Sequence, residues 1–320
     1  MQTDFPPFEP NLADLPRGKW LNHLSEISEK HGFFQSLGRK HFAAFIERGD
    51  TLVVTFESIQ GMRALTPEAE PLGWTLVRDN DWSHLCIASD GDTWFRDAHV
   101  IGLFDKMSDD GFFDSYDTIL FYGAGPCGYA AAAFSVAAPG ARVLMIQPQA
   151  TLDARIAGWD TRFADMRRTD FTARYGYAPD MLDACDRAFV LYDPRETQDA
   201  MHAALFARPA VTRFQLRHMG DTIQSDLMAM NVLIDLMEEA AEGTLDTLQF
   251  AKIYRARRAY PAYLRRVMAA LDRDKRTELS YKLARNVVAR MKKAPRFQRR
   301  LTELETARKR APLREVGAEG

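Results

Sequence analysis

The chain of 320 residues lacks the features that place a protein in a membrane or in an oxidising compartment. No apolar run approaches the roughly 18 residues of a membrane-spanning helix. The N-terminal segment is acidic and rich in proline, without the basic start and apolar stretch of a secretory signal. Only three cysteines occur, with no Cys-x-x-Cys pair, which argues against a disulfide framework and a cysteine-ligated zinc site. We therefore expect a cytoplasmic protein.

Metal-binding patterns are also missing. The seven histidines are scattered, without the His-x-His or His-x-x-x-His spacing that holds a metal ion. The sequence therefore predicts no metal and no cofactor. What is present is the balance of an ordinary folded domain, with 46% hydrophobic and 27% charged residues.

The charge is unevenly distributed along the chain. Residues 250–312 carry 20 Lys and Arg against 5 Asp and Glu, a net +15, whereas the rest carries 22 against 39, a net −17. A basic C-terminal region could mediate self-association or bind a partner protein, or form a solvated face docked on the acidic body. Nucleic-acid binding is the weaker hypothesis, because the region contains no recognition motif.

Apolar segments of strand type alternate with helical segments in the middle of the chain. Each strand is an unbroken apolar run, which is typical of a parallel sheet with helices on both faces. The predicted strands are 117–123, 141–148, 188–194 and 211–220, and the predicted helices are 126–138 and 196–207.

The flanking regions give a weaker pattern. Helices are predicted over 19–34 and 98–113, and strands over 74–79, 84–91 and on either side of the Gly-Asp turn within 41–58. From residue 222 onward the pattern is helical, beginning with one amphipathic segment over 222–243. We therefore predict an N-terminal extension (1–40), an α/β domain (41–226) and a basic all-α domain (227–320).

The segment YGAGPCGYAAAAFS (122–135) has two interpretations. As Gly-x-Gly-x-x-Gly between a strand and a helix, it could hold the pyrophosphate of a dinucleotide. In that case the next strand should end near an acidic residue, but it ends at Ile146 and Gln147. Gln147 could still accept a hydrogen bond from a ribose hydroxyl.

The second interpretation is the elbow of a hydrolase, a sharp strand-to-helix turn that tolerates only small residues around its nucleophile. Asp193 and His218 then follow the next two strands, in the order nucleophile, Asp, His that this fold uses. Simpler roles remain open for both: Asp193 could cap the following helix, and His218 could be a structural hydrogen-bonding group.

Residues from about 51 to 226 resemble the α/β-hydrolase superfamily, particularly bacterial members that read Tyr-Gly-Ser-Ser-Met-Gly-Gly-Tyr. Laid over YGAGPCGY without gaps, the family nucleophile falls on Gly125 and the second elbow glycine on Cys127. The resemblance covers just over half of the chain. It implies a mostly parallel sheet of the α/β-hydrolase type, in which the serine is replaced by glycine.

Over its full length the chain also resembles an alphaproteobacterial group often labelled phosphoadenosine phosphosulfate reductase. That family depends on a Ser-Gly-Gly-Lys-Asp-Ser type phosphate loop and on a cysteine near the C-terminus. This chain has neither, because its last cysteine is Cys185. A nucleotide- or phosphosulfate-linked reductase therefore stays an alternative hypothesis.

Three hypotheses of function follow, because Gly125 has no side chain for acyl transfer. The first is a protein without Ser-dependent catalysis that binds an anionic small molecule or a glycan-type ligand at the 123–128 turn. The second is an active hydrolase or transferase that uses His218 and Asp193 with Cys127 or water; the third is the reductase. Cys127 could equally be a small buried packing residue. The candidate ligand-binding residues are Gly123, Ala124, Gly125, Pro126, Gly128 and Gln147.

Overall fold

The fold is described from a computed structural model, which covers residue 8 and residues 11–310. Within these residues, eight strands form a single sheet. The strands are β1 (Gly32–Leu37), β2 (His41–Ile46), β3 (Thr51–Ser58), β4 (Ser83–Ser89), β5 (Thr118–Ala124), β6 (Arg142–Ile146), β7 (Arg187–Tyr192) and β8 (Val211–Gln215).

Fourteen α-helices accompany the sheet in the described part of the chain. They are α1 (Arg17–His31), α2 (Ile59–Leu65), α3 (Trp74–Asn80), α4 (Ala98–Asp109), α5 (Pro126–Phe134), α6 (Ala154–Ala157), α7 (Ala178–Met181), α8 (Thr197–Leu205), α9 (Ile223–Ala229), α10 (Leu233–Glu242), α11 (Thr247–Ile253), α12 (Pro261–Arg273), α13 (Thr277–Arg290) and α14 (Pro295–Arg310). Among these residues, no helix is long and apolar enough to cross a membrane.

The strand order confirms the predicted fold class. The order across the sheet is β1-β2-β4-β3-β5-β6-β7-β8. Strand β2 runs antiparallel to β1 and β4, and all the other neighbours are parallel. This is the α/β-hydrolase type of sheet, in which the carboxyl ends of β5, β7 and β8 lie at one edge. The helices after α11 form the predicted all-α C-terminal region.

Several local predictions were wrong, each because packing overrode a local pattern. Residues 74–79, predicted as a strand, form helix α3, which buries Trp74 and Val77 one turn apart. The predicted helix over 222–243 is two helices, α9 and α10, separated at Asn231, whose φ is 55°. Strands β2 and β3 lie on either side of the Gly-Asp turn as predicted, and β4 lies between them in the sheet.

The chain divides into two compact units, residues 1–253 and 254–320. Helix α10 belongs to the first unit, where it packs against β5 and β6. The second unit has a small apolar core of its own, formed by Leu264, Met268, Ala284, Val287, Phe297 and Leu301. The predicted limits of 41–226 and 227–320 differ from these units and stay a prediction.

Helix α5 approaches strand β5 very closely. Only Gly125 separates the end of the strand from the first residue of the helix. A Cβ atom at Gly123 would lie 2.1 Å from the carbonyl oxygen of Cys127, so no larger residue fits without moving the helix. The sharp turn between β5 and α5 therefore depends on glycine at position 123.

We expect Gly123→Ala to lower the free energy of unfolding by about 3 kcal/mol, because the added methyl overlaps the backbone of the first helical turn. The matched control is Gly125→Ala, whose Cβ meets no atom within 4 Å but whose φ of 57° disfavours a side chain. We expect the control to cost about 1 kcal/mol. Urea denaturation measures both, and equal costs would contradict the close approach at Gly123.

Candidate functional site

Gly125 occupies the turn where the predicted nucleophile would stand. Its φ of 57° and ψ of −124° lie in a region that L-residues rarely adopt, as in a nucleophile elbow. The Gly125 N–H donates to the carbonyl of Ile146 at 2.8 Å, which ties the turn to the end of β6. A side chain at this position would enter open space. The turn thus has the shape of the predicted elbow without a reactive group.

Pro126 removes a second component of acyl transfer. In the α/β-hydrolase fold, the N–H of the residue after the nucleophile stabilises the oxyanion of the intermediate. Proline has no N–H, so this donor is missing in addition to the nucleophile. The sequence displays this substitution directly, but sequence analysis treated Pro126 only as a candidate ligand-binding residue of the turn and did not consider its missing N–H.

Asp193 and His218 lie near each other where β7 and β8 end. Asp193 is 1% exposed, and its carboxylate accepts hydrogen bonds from the N–H groups of Arg195 and Gly220, both at 2.9 Å. The Arg195 guanidinium lies 3.4 Å from Nδ1 of His218. Because arginine only donates, Nδ1 of His218 would accept in this contact. In a catalytic triad, Nδ1–H instead donates to the carboxylate.

Cys127 lies in surroundings that oppose a reactive thiolate. Burial raises its pKa, and the carboxylates of Glu57 and Asp92 raise it further. A nucleophilic cysteine needs the reverse, an electropositive environment that lowers the pKa. The geometry therefore favours the packing role of Cys127, and its catalytic role stays a prediction.

Gln147 is held at both ends of its amide. Its Nε2 donates to Asp199 at 2.7 Å and to the carbonyl of Gly220 at 3.3 Å, and its Oε1 accepts from the N–H of Ile223 at 3.4 Å. These bonds join the carboxyl end of β6 to α8 and to the segment after β8. They also occupy the group that the dinucleotide interpretation assigned to a ribose hydroxyl.

Sequence analysis missed a buried charged network next to Gln147. Arg162 donates to Asp199 at 2.6 Å and to Asp160 at 2.8 Å, and His202 contacts Asp160 at 3.0 Å. Burial acts to raise the pKa of Asp160, but the hydrogen bonds from Arg162 and His202 outweigh it and the pKa is lowered. The network fixes Asp199, which in turn holds Gln147. No local motif marks these residues, because they come from distant segments.

A cavity of about 160 Å³ lies beside the elbow. Its walls include Ala124, Pro126 and Cys127 of the turn, together with Glu57 and Asp92 from the segments that end β3 and follow β4. None of its lining residues, all of which the structure describes, is Lys, Arg or His. The space that the elbow encloses is therefore acidic.

Glu57 and Trp94 are two lining residues of this cavity with polar atoms in buried surroundings. The Glu57 carboxylate accepts hydrogen bonds from the hydroxyl of Thr55 at 2.6 Å and from the N–H of Leu72 at 3.1 Å, but burial raises its pKa to about 7. Trp94 is 1% exposed, and its Nε1–H has no partner among the described residues. In the same part of the chain, no three His, Cys, Asp or Glu side chains converge as a metal site requires.

The raised pKa of Glu57 predicts a pH-dependent stability. The pKa is about 7 in the folded protein against an ordinary 4.5, so the folded state holds a proton that the unfolded chain releases. The contribution of this proton to the free energy of unfolding is complete below pH 4.5 and is lost as the pH rises through about 7. We expect Glu57→Gln to gain stability relative to the wild type between pH 5 and 8, by on the order of 2 kcal/mol.

Urea denaturation across this pH range measures the difference between the two proteins. The exposed Glu305→Gln is the control, and we expect it to follow the wild type at every pH. A parallel pH dependence of Glu57→Gln and wild type would contradict the burial of a protonated carboxyl at this position.

Several solved structures are similar to the chain. The carboxylesterase EstE1 from a metagenomic library is 11% identical, with a TM-score of 0.41, covering 72% of this chain and 97% of its own. The hyperthermophilic esterase from Pyrobaculum calidifontis is 13% identical, with a TM-score of 0.38, covering 73% and 93%. No protein-family profile and no curated protein sequence matches the chain. The strand order itself establishes the conclusion: this chain has an α/β-hydrolase type of fold with Gly125 at the turn between β5 and α5.

Proposed function

We propose that this protein has no Ser-dependent catalysis and binds a small hydroxyl-rich ligand of the glycan type in the cavity beside the 123–128 turn. The observation that carries the proposal is the pair Gly125 and Pro126. Together they remove the nucleophile and one oxyanion donor, while the turn and its cavity are retained. A fold that keeps the pocket without the reacting groups is suited to binding.

The chemistry of the cavity supports a glycan-type ligand over the anionic one that was also predicted. Asp92 repels an anion, Glu57 adds negative charge once it ionises above about pH 7, and no basic residue of the lining offsets them. Pro126 reduces the N–H groups at the start of α5, which would otherwise attract a negative charge. A hydroxyl both donates and accepts, so it can pair with the carboxyl groups of Glu57 and Asp92.

The rival hypotheses lack comparable support. Chemistry through His218 and Asp193 needs Nδ1–H of His218 to donate to the carboxylate, whereas both Asp193 oxygens already accept backbone N–H groups, from Arg195 and Gly220. Cys127 faces two carboxylates that disfavour its thiolate. The reductase hypothesis needs a ribose acceptor, and Oε1 of Gln147 already accepts from the N–H of Ile223.

We expect a serine-directed fluorophosphonate probe not to label the protein, because Gly125 offers no hydroxyl and Pro126 no oxyanion donor. Mass spectrometry of the intact protein measures the labelling, with an active serine esterase treated in parallel as a positive control. Stoichiometric labelling of the wild type would overturn the proposed loss of Ser-dependent catalysis.

We expect methyl β-D-glucopyranoside to bind the cavity with millimolar affinity and to change the fluorescence of the buried Trp94. Asp92→Asn should weaken binding about five- to tenfold, because it replaces a charged hydrogen-bond acceptor at the cavity by a neutral one. The matched control is Asp110→Asn, an exposed carboxylate outside the cavity that should bind like the wild type.

Titration calorimetry of the three proteins measures the affinities, and Trp94→Phe identifies the source of the fluorescence change. Two outcomes would count against the proposal: no detectable binding of the glucoside, or equal affinities in the Asp92 and Asp110 variants.

A further inference from the structure

A second concave surface lies next to the elbow cavity. It is a groove of about 540 Å³ between the segment 64–79 and helices α9 and α10. Its walls are mainly apolar and include Leu65, Met228 and Ile234. Apolar area of this kind, when it is covered by a ligand, contributes to affinity in proportion to the area removed from water.

The groove and the elbow cavity are adjacent. Leu65, at the end of α2, lines both of them. Helix α9 contributes Gln224 to the cavity and the next residue, Ser225, to the groove. A ligand that extends from the cavity past the Leu65 side chain therefore reaches the groove.

The sizes of the two spaces differ in a way that matters for the ligand. The elbow cavity, at about 160 Å³, is smaller than the roughly 300–1,000 Å³ of typical small-molecule sites. It holds a small polar group, or one end of a longer molecule. The groove, at about 540 Å³, has room for an extended apolar chain.

The charges around the groove restrict the ligand further. Its carboxylates are Glu68 and Asp79, and its lining, all within the described residues, contains no Lys, Arg or His. The elbow cavity has the same character, with Glu57 and Asp92. Both spaces therefore disfavour a fatty acid, a phosphate ester or a sulfate ester.

We infer that the ligand is an uncharged amphiphile, with a hydroxylated head in the elbow cavity and an unbranched apolar chain in the groove across Leu65. This inference rests on the proposed function, because it extends the ligand from the same cavity. The polar head pairs with Glu57 and Asp92, and the chain covers the apolar wall formed by Leu65, Met228 and Ile234.

The experiment compares methyl, butyl and hexyl β-D-glucopyranosides, each below its critical micelle concentration, by titration calorimetry on the full chain. We expect the association constant to rise about threefold for each added methylene group that the groove buries. The heat capacity change of binding should become more negative along the series, since more apolar surface leaves water.

Ala229→Asp tests the position of the chain, because Ala229 is an exposed residue of α9 that lines the groove. We expect this variant to bind the methyl glucoside like the wild type. Its association constant should no longer rise with the length of the alkyl chain. The matched control is Ala204→Asp, at an exposed residue near the end of α8 that lines neither the elbow cavity nor the groove. In this variant the association constant should still rise with chain length.

The outcomes separate the inference from the function on which it rests. If the methyl glucoside binds but longer alkyl chains do not increase the affinity, the inference of an amphiphilic ligand is overturned and the proposed function stands. If none of the glucosides binds, the proposed function fails as well. If Ala229→Asp and Ala204→Asp respond alike to chain length, the chain does not lie in the groove and the inference is overturned.

Discussion

The contact between strand β5 and helix α5 at Gly123 is the constraint on which the site depends. The helix can begin one residue after the turn only because Gly123 presents no Cβ to the carbonyl of Cys127. Gly128, in helix α5, permits the same close approach, because a Cβ at this position would lie 3.1 Å from the carbonyl oxygen of Gly123. This approach places Gly125 at its positive φ and brings Pro126 and Cys127 to the wall of the elbow cavity.

Such a turn is maintained by packing, and it does not require the chemistry that other proteins perform there. The backbone of Gly125 still bonds to the end of β6, and the small residues still let helix and sheet meet. Glycine at position 125 leaves open space at the end of the sheet, which is part of the binding surface that we propose. The desolvated Glu57 then sets the character of that surface, because its carboxyl exchanges a proton near neutral pH.

A second set of interactions fixes the loops at the same edge of the sheet. Gln147, after β6, bonds to Asp199 of α8 and to Gly220 after β8, while Gly220 also donates to Asp193 after β7. Arg162 neutralises the buried Asp199, which would otherwise be costly to desolvate. Asp193, the residue predicted as the acid, thus accepts two backbone N–H groups at this end of the sheet.

The sequence by itself determined the strand–helix alternation, the glycine turn at 122–135 and the order of Gly125, Asp193 and His218, because these patterns are local or depend only on chain order. Only the tertiary structure decided that Glu57, Asp92 and Cys127 meet in one acidic cavity. Glu57 lies near the end of β3, and Asp92 and Cys127 follow β4 and β5; these three strands are neighbours in the sheet although far apart in sequence. The pKa of Glu57 and the partners of His218 likewise depend on burial and non-local contacts, which no local pattern of residues encodes.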